Sequence, residues 1–359
     1  MPASSVVPVE TSWTTAAHPP KLAVRLPVVR WLVARAKIIR DTLIVAGNCW
    51  YDFLRVIRYT SAVTTGSNRE KLAALITINY HGIEKGLSLP QPRPGFGAAQ
   101  ISILISRLER YGQAFGFDEN AVIAFNTLRE YSRFNEQHGK ADPALEARIE
   151  QLSRYLPVAN DAHAQESIGG GIKLIRRDEF LASAQHDLRD FFNSRCSARQ
   201  YAEAAVDLSD IERAVEMARK SPSCCNRQSA RLWVINEPER VRKALEIQGG
   251  ARGFGHEAPM ALVITSDQAC FQSAGERYQH WIDGGMFAMS LIYALHSLGL
   301  VSCCLNWSKV RAKDLEFRRA FGLPESHAII VVLTVGHPKE EFSVAQSPRR
   351  PVEELMKVL

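Results

Sequence analysis

The stretch that decides the fold runs from Ile282 to Trp307, IDGGMFAMSLIYALHSLGLVSCCLNW. Asp283 to Leu298 reads as a helix that is apolar on nearly every face, with Gly299 as its carboxy-terminal cap. It falls short of the roughly 20 apolar residues that a bilayer crossing needs, so a buried core helix is predicted. The run that follows, Val301 to Leu305, is short, apolar and rich in strand formers. A buried helix feeding a strand across one glycine implies mixed helix and sheet.

Working outward, the same pattern holds on both sides. Lys313 to Phe321 predicts a helix ended by Gly322 and Pro324, and Ala328 to Val335 is an uninterrupted apolar run, as expected of a strand covered on both faces. Upstream, Ser209 followed by Glu212 predicts a capping box. Ile211, Ala214, Val215 and Ala218 would form the buried face of that helix, which stops before Pro222. Leu232 to Ile235 and Ala261 to Thr265 are short β-type runs, and Phe180 to Phe192 opens this mixed region.

Before residue 160 the pattern is helical only. Apolar residues recur at three and four in Asn68 to His81, Gln100 to Tyr111, Asp118 to Gln137 and Pro143 to Tyr155, with no strand between them. Leu22 to Tyr59 also suits helices, with a break expected near Gly47 and Asn48. DAHAQESIGGGIK then interrupts the pattern with three glycines, Gly169 to Gly171. The expected organisation is a disordered tail over 1–20, a helical domain over 21–165 and an α+β domain over 180–359.

Composition narrows the classes. A hydrophobic fraction of 46% and 23% charged residues suit a soluble globular chain. Seven cysteines, four of them in the adjacent pairs Cys224-Cys225 and Cys303-Cys304, lack both zinc-ligand spacing and a disulfide framework. They read as small buried hydrophobes. The amino terminus has no secretory pattern, so a cytoplasmic location is expected. The net charge of +6 is concentrated between Lys21 and Lys71, where ten Lys and Arg face Asp41, Asp52 and Glu70. A packed helical arm is the plainer reading of that segment, and peripheral contact with an anionic membrane the sharper one. No aromatic-rich or groove-reading motif accompanies the charge, so nucleic acid is not expected.

Two segments hold candidate ligand groups. In SRCSARQY, Arg195, Ser197 and Arg199 alternate, so an extended chain would point two guanidinium groups and a hydroxyl the same way, a geometry suited to phosphate. In KSPSCCNRQ, Pro222 and Ser223 form a turn, and Asn226 and Gln228 supply amides that both donate and accept. Taken alone, the first segment is better read as a solvated edge and the second as an ordinary turn.

Taken in order, SRCSARQY, a helix, PSCCNRQ, a strand, IDGGMFAMSLIYALHSLGLVSCCLNW and the closing SPRRPVEEL resemble the nitroreductase family of FMN-dependent oxidoreductases over nearly half the chain. The resemblance implies an α+β sandwich, a central sheet flanked by helices, working as a homodimer whose two flavins each touch both subunits. It implies that Arg195, Ser197, Arg199 and Arg349 hold the FMN phosphate and ribityl chain. Pro222, Ser223 and Asn226 would approach the flavin across the dimer interface, and Gly299 and Leu300 would lie by its ring. NAD(P)H would be the electron donor and a nitroaromatic, a quinone or a related small molecule the acceptor, with no catalytic side chain and no metal. Two departures stand out: the family's asparagine motif runs on into Gln-Pro-Trp, whereas Gln228 is followed by Ser229, Ala230 and Arg231, and FGHEAP, Phe254 to Pro259, puts His256 and Glu257 in a region expected to border the pocket.

The helical half contributes one further motif, HGIEKGLSLPQPRPGFG from His81 to Gly97. It reads as a helix end with an ordered loop, or as a lid or partner-docking surface; His81 and Glu84 lack a third metal ligand nearby. A loop of this type ahead of such a domain is similar to long chains linked to bacterial polysaccharide production. Two alternatives to the reductase reading therefore stand: a non-catalytic FMN-binding module docked to a membrane-associated assembly, and oxygen-dependent flavin chemistry as in flavin-fragmenting relatives.

Overall fold

Four strands carry the carboxy-terminal half: β1 (Ala230–Ile235), β2 (Met260–Asp267), β3 (Val301–Asn306) and β4 (His327–Gly336). They form one antiparallel sheet in the order β1-β2-β4-β3. In this computed structural model the described residues are 27–61, 68–156 and 168–359, so the tail expected over 1–20 lies outside them.

Twelve helices accompany the sheet among the described residues. In the amino-terminal half they are α1 (Pro27–Tyr59), α2 (Arg69–Leu87), α3 (Ala98–Phe115), α4 (Glu119–Gln137) and α5 (Pro143–Ser153). The rest are α6 (Arg177–Ala184), α7 (Arg189–Ser194), α8 (Leu208–Ala218), α9 (Pro238–Gln248), α10 (Gln279–Ser297), α11 (Arg311–Phe321) and α12 (Val352–Leu355). The architecture is α+β, with helices leading into a sandwich.

Alternation along the strands makes the sandwich. Ala261 and Val263 of β2 pack with Val241, Ala244 and Leu245 of α9 and Phe317 of α11. Met260, Leu262 and Ile264 point the other way, onto Ile211 and Ala214 of α8 and Leu291 and Leu295 of α10. With both faces covered, all eight residues of β2 are buried, and this is why β2 and β4 read as continuous apolar runs. A bulge follows Ile264: Ile264 pairs with Val331 and Thr265 with Ile329, leaving Ile330 extra. Ile330 lies against Gly284 so closely that a Cβ there would sit 2.5 Å from its Cγ1. Gly284 is thus what lets α10 reach the bulged strand.

α10 begins four residues before the expected Asp283 and is not apolar all round. Trp281 and Ile282 are exposed at 40% and 52%, while polar His280 and Asp283 face inward. The expected capping box of α8 is also absent. The helix starts at Leu208 after Asp207, so Ser209 lies inside its first turn and the three-residue spacing to Glu212 caps nothing. Its predicted face is otherwise in place, with Ile211, Ala214 and Ala218 buried.

The helical layer has its own core, in which Ile76, Ile83, Leu104, Ile105, Leu108 and Leu128 are essentially inaccessible. Its helices begin at good caps: Asn68 accepts from Lys71 N, Asp118 from Ala121 N and Asp142 from Ala144 N and Leu145 N, each worth about 1 kcal/mol. α2 runs six residues beyond the expected His81, so His81 and Glu84 sit one turn apart with Nδ1 and Oε2 at 3.0 Å. The loop proper is held by two bonds to α4, from Tyr131 Oη to Phe96 O at 2.5 Å and from Gly95 N to Asn135 Oδ1 at 2.8 Å. α1 is one helix, with no break at Gly47; Asn48 Nδ2 donates back to Ile44 O, supporting the turn that the glycine weakens.

The glycines expected to act as a linker are pinned. Asn126 Nδ2 donates to Gly169 O at 2.7 Å, and Gly171 N donates to Thr127 Oγ1 at 3.0 Å. Gly170 has φ +116° and lies so close to α4 that a Cβ would meet Ile123 O at 2.5 Å. The run is a close backbone crossing, which only glycine permits. By contacts the chain divides into Met1–Cys49 and Trp50–Leu359, the second containing both the helical layer and the sheet.

Candidate functional site

The SRCSARQY segment lies along β3. Ser197 makes a parallel bridge with Ser302, and Ala198 N donates to Ser302 O at 3.1 Å. Tyr201 locks the segment: its hydroxyl lies 2.9 Å from Ala198 O and 2.6 Å from Thr334 Oγ1, and its ring fills the space left by Gly336. The arginine segment is thereby fixed beside the turn that joins α10 to β3. Gly299 takes φ +76° in that turn, as a helix followed directly by a strand requires.

These elements enclose a cavity of about 210 Å³ lined by Arg195, Cys196, His296, Gly299, Leu300 and Ser302, together with Ser194, Pro338 and Phe342. Three of the sequence-selected residues, Arg195, Gly299 and Leu300, therefore meet in one place, with Ser197 in the neighbouring bridge. Arg199 is exposed, and neither it nor Arg195 has a carboxylate partner among the described residues. Arg349 does not line this cavity; it stands in the exposed closing segment and donates to Ser347 O.

Pro222, Ser223 and Asn226 lie elsewhere. Pro222 and Ser223 border a cavity of about 640 Å³ with Arg219, Gln228, Arg231, Asp283 and Phe287. Asn226 opens into one of about 530 Å³, walled on its far side by Arg69, Thr77, Tyr80 and Asn120 of the helical layer. The turn between them is strained: Cys225, Asn226 and Gln228 have φ of 50°, 53° and 49°, a region that side chains other than glycine rarely enter.

The anchors of that turn were not evident in the sequence. Arg227 is buried, its Nη2 lies 2.6 Å from Glu276 Oε1, and its Nε and Nη1 donate to Cys224 O and Cys270 O. The guanidinium stacks over Phe271 at 4.9 Å. Burial alone would raise the Glu276 carboxyl, but hydrogen bonds from Arg227 and from Gln272 N outweigh it and hold the group below the usual range. Cys224 N donates to buried Asp283 Oδ2 at 3.1 Å, tying the turn to α10. Such a partnership exists only in the fold, since Glu276 is 49 residues from Arg227 in sequence.

A nitroreductase family model matches this chain over residues 193–247 and 243–337. Residues 193–337 are a nitroreductase family domain. The helical layer lies outside that match. A protein of Archaeoglobus fulgidus named for NADH dehydrogenase and NAD(P)H nitroreductase activity is 26% identical over 152 residues, covering 41% of this chain and 83% of its own. The FMN reductase [NAD(P)H] of Bacillus subtilis is 24% identical over 172 residues, 44% of this chain and 67% of that protein. An FMN-dependent nitroreductase structure from Clostridium difficile has a TM-score of 0.38 and 20% identity, covering 43% of this chain and 90% of that one.

Within the nitroreductase domain burial pushes the thiols of Cys224 and Cys303 up, which makes them poor nucleophiles, and all seven cysteines of the chain are free. Only Cys270 and Cys303 are buried; Cys304 points outward from β3, so the adjacent pairs do not act as core hydrophobes together. Among the described residues no cluster of His, Cys, Asp and Glu could hold a metal ion.

Proposed function

We propose that the chain is an FMN-dependent oxidoreductase that moves hydride from NAD(P)H to a small electron-poor organic acceptor. The observation that carries this reading is the Ser197 to Ser302 bridge, which lays the arginine segment against the turn at Gly299 and Leu300. It leaves a cation with no carboxylate partner among the described residues at the mouth of a small cavity, beside backbone that no Cβ obstructs, which is what a phosphate on a flexible chain requires.

In this reading Arg195 and Arg199 neutralise the phosphate and Ser197 hydrogen-bonds to it, with Arg349 available from the closing segment. Gly299 and Leu300 bring main chain close to the ring. Bound FMN would supply two-electron chemistry, accepting hydride from the nicotinamide and delivering it to the acceptor. The protein's own part is positioning and electrostatics, and no side chain acts as acid, base or nucleophile.

Pro222, Ser223 and Asn226 open onto other cavities of the same chain. This favours the arrangement in which they serve a second subunit's flavin in a homodimer. The cavity shared by Asn226 and the helical layer supports a role for that layer in shaping the acceptor side, where Ser229 and Ala230 stand in place of the family's Pro-Trp.

The decisive experiment is purification without added cofactor, with the visible spectrum recorded before and after anaerobic NADH or NADPH. Yellow FMN that bleaches with either donor is expected. A folded protein that holds no flavin even after reconstitution would overturn the proposal, and bound flavin inert to both donors would leave a binding module in its place.

A further inference from the structure

Between Arg30 and Cys49 the side chains of α1 are exposed around the helix. Every residue of that stretch is exposed except Asp41 and Asn48, which are half-buried. Trp31, Leu32, Ile38, Ile39, Leu43 and Val45 are each more than half exposed. A helix gains most of its stability from burying an amphipathic face, so one that leaves this much apolar surface open requires a partner medium.

The distribution of the side chains identifies that medium. Trp31, Ile38 and Val45 recur at seven, and so do Leu32, Ile39 and Ala46; with Leu43 they cover about half of the circumference at 3.6 residues per turn. Arg30, Lys37, Arg40 and Asn48 occupy the opposite side, where Val33 and Ile44 are the two large apolar residues among them. A two-helix seam would bury Leu32, Ala36, Ile39, Leu43 and Ala46 and leave Trp31, Ile38 and Val45 in water, so the apolar face is wider than self-association uses. Four cations stand against Asp41, whose carboxylate is already bonded to Arg40 at 2.8 Å. Two copies brought together would also repel one another. Arg35, the cation on the apolar side, lies over the Trp31 ring at 4.8 Å, where its stem is apolar and its head can reach the interface. No described helix is long and apolar enough to cross a membrane.

We infer that residues 30–49 of α1 lie in the plane of an anionic lipid surface, the apolar half sunk among the acyl chains and the basic half among the headgroups. This holds the chain at a membrane without spanning it. The inference is independent of the flavin reading and survives its failure.

The test is sedimentation of full-length protein with vesicles of phosphatidylcholine alone or mixed with phosphatidylglycerol. Binding to the anionic vesicles at least about tenfold above the neutral ones is expected, with release in high salt as headgroup charges are screened. The triple variant Arg30→Gln, Lys37→Gln, Arg40→Gln should bind about 100-fold more weakly, from three lost cations near the surface. Ile39→Glu should abolish binding while the urea midpoint and the oligomeric state of the protein stay unchanged. Absence of binding, equal binding to both vesicles, or binding indifferent to Ile39→Glu would overturn the inference. An Ile39→Glu variant that splits an oligomer, with no vesicle binding by the parent, would assign the face to a second copy instead.

Discussion

Arg227 and Glu276 form an ion pair whose guanidinium side chain is wholly shielded from solvent, with Nη2 and Oε1 2.6 Å apart. Arg227 stands among the three left-handed residues of the turn and ties it down through bonds from Nε to Cys224 O and from Nη1 to Cys270 O. Removing one partner strands the other charge in the interior. Arg227→Met and Glu276→Leu are each expected to cost about 3 to 5 kcal/mol in urea unfolding, and the double variant less than the two together. Strict additivity would show that the two side chains act separately.

The same pair sets an acid limit. The folded-state pKa of Glu276 lies below its ordinary value, so its contribution is complete above the ordinary carboxylate range, near about 4.3. It is lost as pH falls through the depressed folded value. Stability measured from pH 6 down to 3 should fall less steeply in the double variant than in the parent. Identical profiles would place the acid sensitivity in other groups.

If the cavity beside β3 takes a phosphate, the arginines facing it should govern affinity and little else. Arg195 makes no ion pair among the described residues, so Arg195→Ala should leave the unfolding midpoint in place. FMN binding, followed by quenching of flavin fluorescence, should weaken about 10- to 100-fold for the loss of one charge-assisted interaction. Arg195→Lys should recover part of it. Unchanged affinity would remove Arg195 from the site.

Gly170 tests the crossing over α4. Its φ of +116° disfavours any side chain, and a Cβ would press on Ile123 O. Gly170→Ala is expected to destabilise by about 2 kcal/mol or more and to lower hydrogen-exchange protection at Gly171 N, whose bond to Thr127 depends on the close approach. A variant as stable and as protected as the parent would mean that the segment is a free linker after all.

What could be read in the sequence followed physical locality. The strands and amphipathic helices announce themselves because burial repeats at two or at 3.6 residues, and β2, β4 and α4 lie within a few residues of their expected bounds. Alternation in SRCSARQY correctly marked an extended segment, and Ser197 does pair with β3. The failures lie where a distant contact decides. Ser209 and Glu212 have the spacing of a capping box, yet α8 begins earlier; Gly169 to Gly171 have linker composition, yet the side chains of Asn126 and Thr127 hold them. Nothing local in Arg227 distinguishes it from a surface arginine, because its partner is 49 positions away. Of the expected site residues, Arg195, Gly299 and Leu300 line one cavity because a single strand pairing joins their segments, whereas the strain at Asn226 exists only in the fold.

His280 supplies the last expectation. It is 4% exposed, between Phe271 and Trp281, and burial, assisted by the nearby Arg55 charge, lowers its pKa from 6.5 to about 4. The unfolded chain therefore takes up a proton near pH 6.5 that the folded chain refuses until about pH 4. Stability from this residue is complete above pH 6.5 and declines as pH falls toward the folded value, by about 3 kcal/mol in all at about 1.4 kcal/mol per unit. His327 is shifted in the same direction, so the parent profile contains both groups. The His280→Leu variant isolates one of them: its stability should fall less between pH 6.5 and 4 than that of the parent. In the parent, the His280 ring resonances should stay at their neutral positions until about pH 4. A ring that titrates near pH 6.5, or a variant with the parent's slope, would show that water reaches the imidazole in the folded protein.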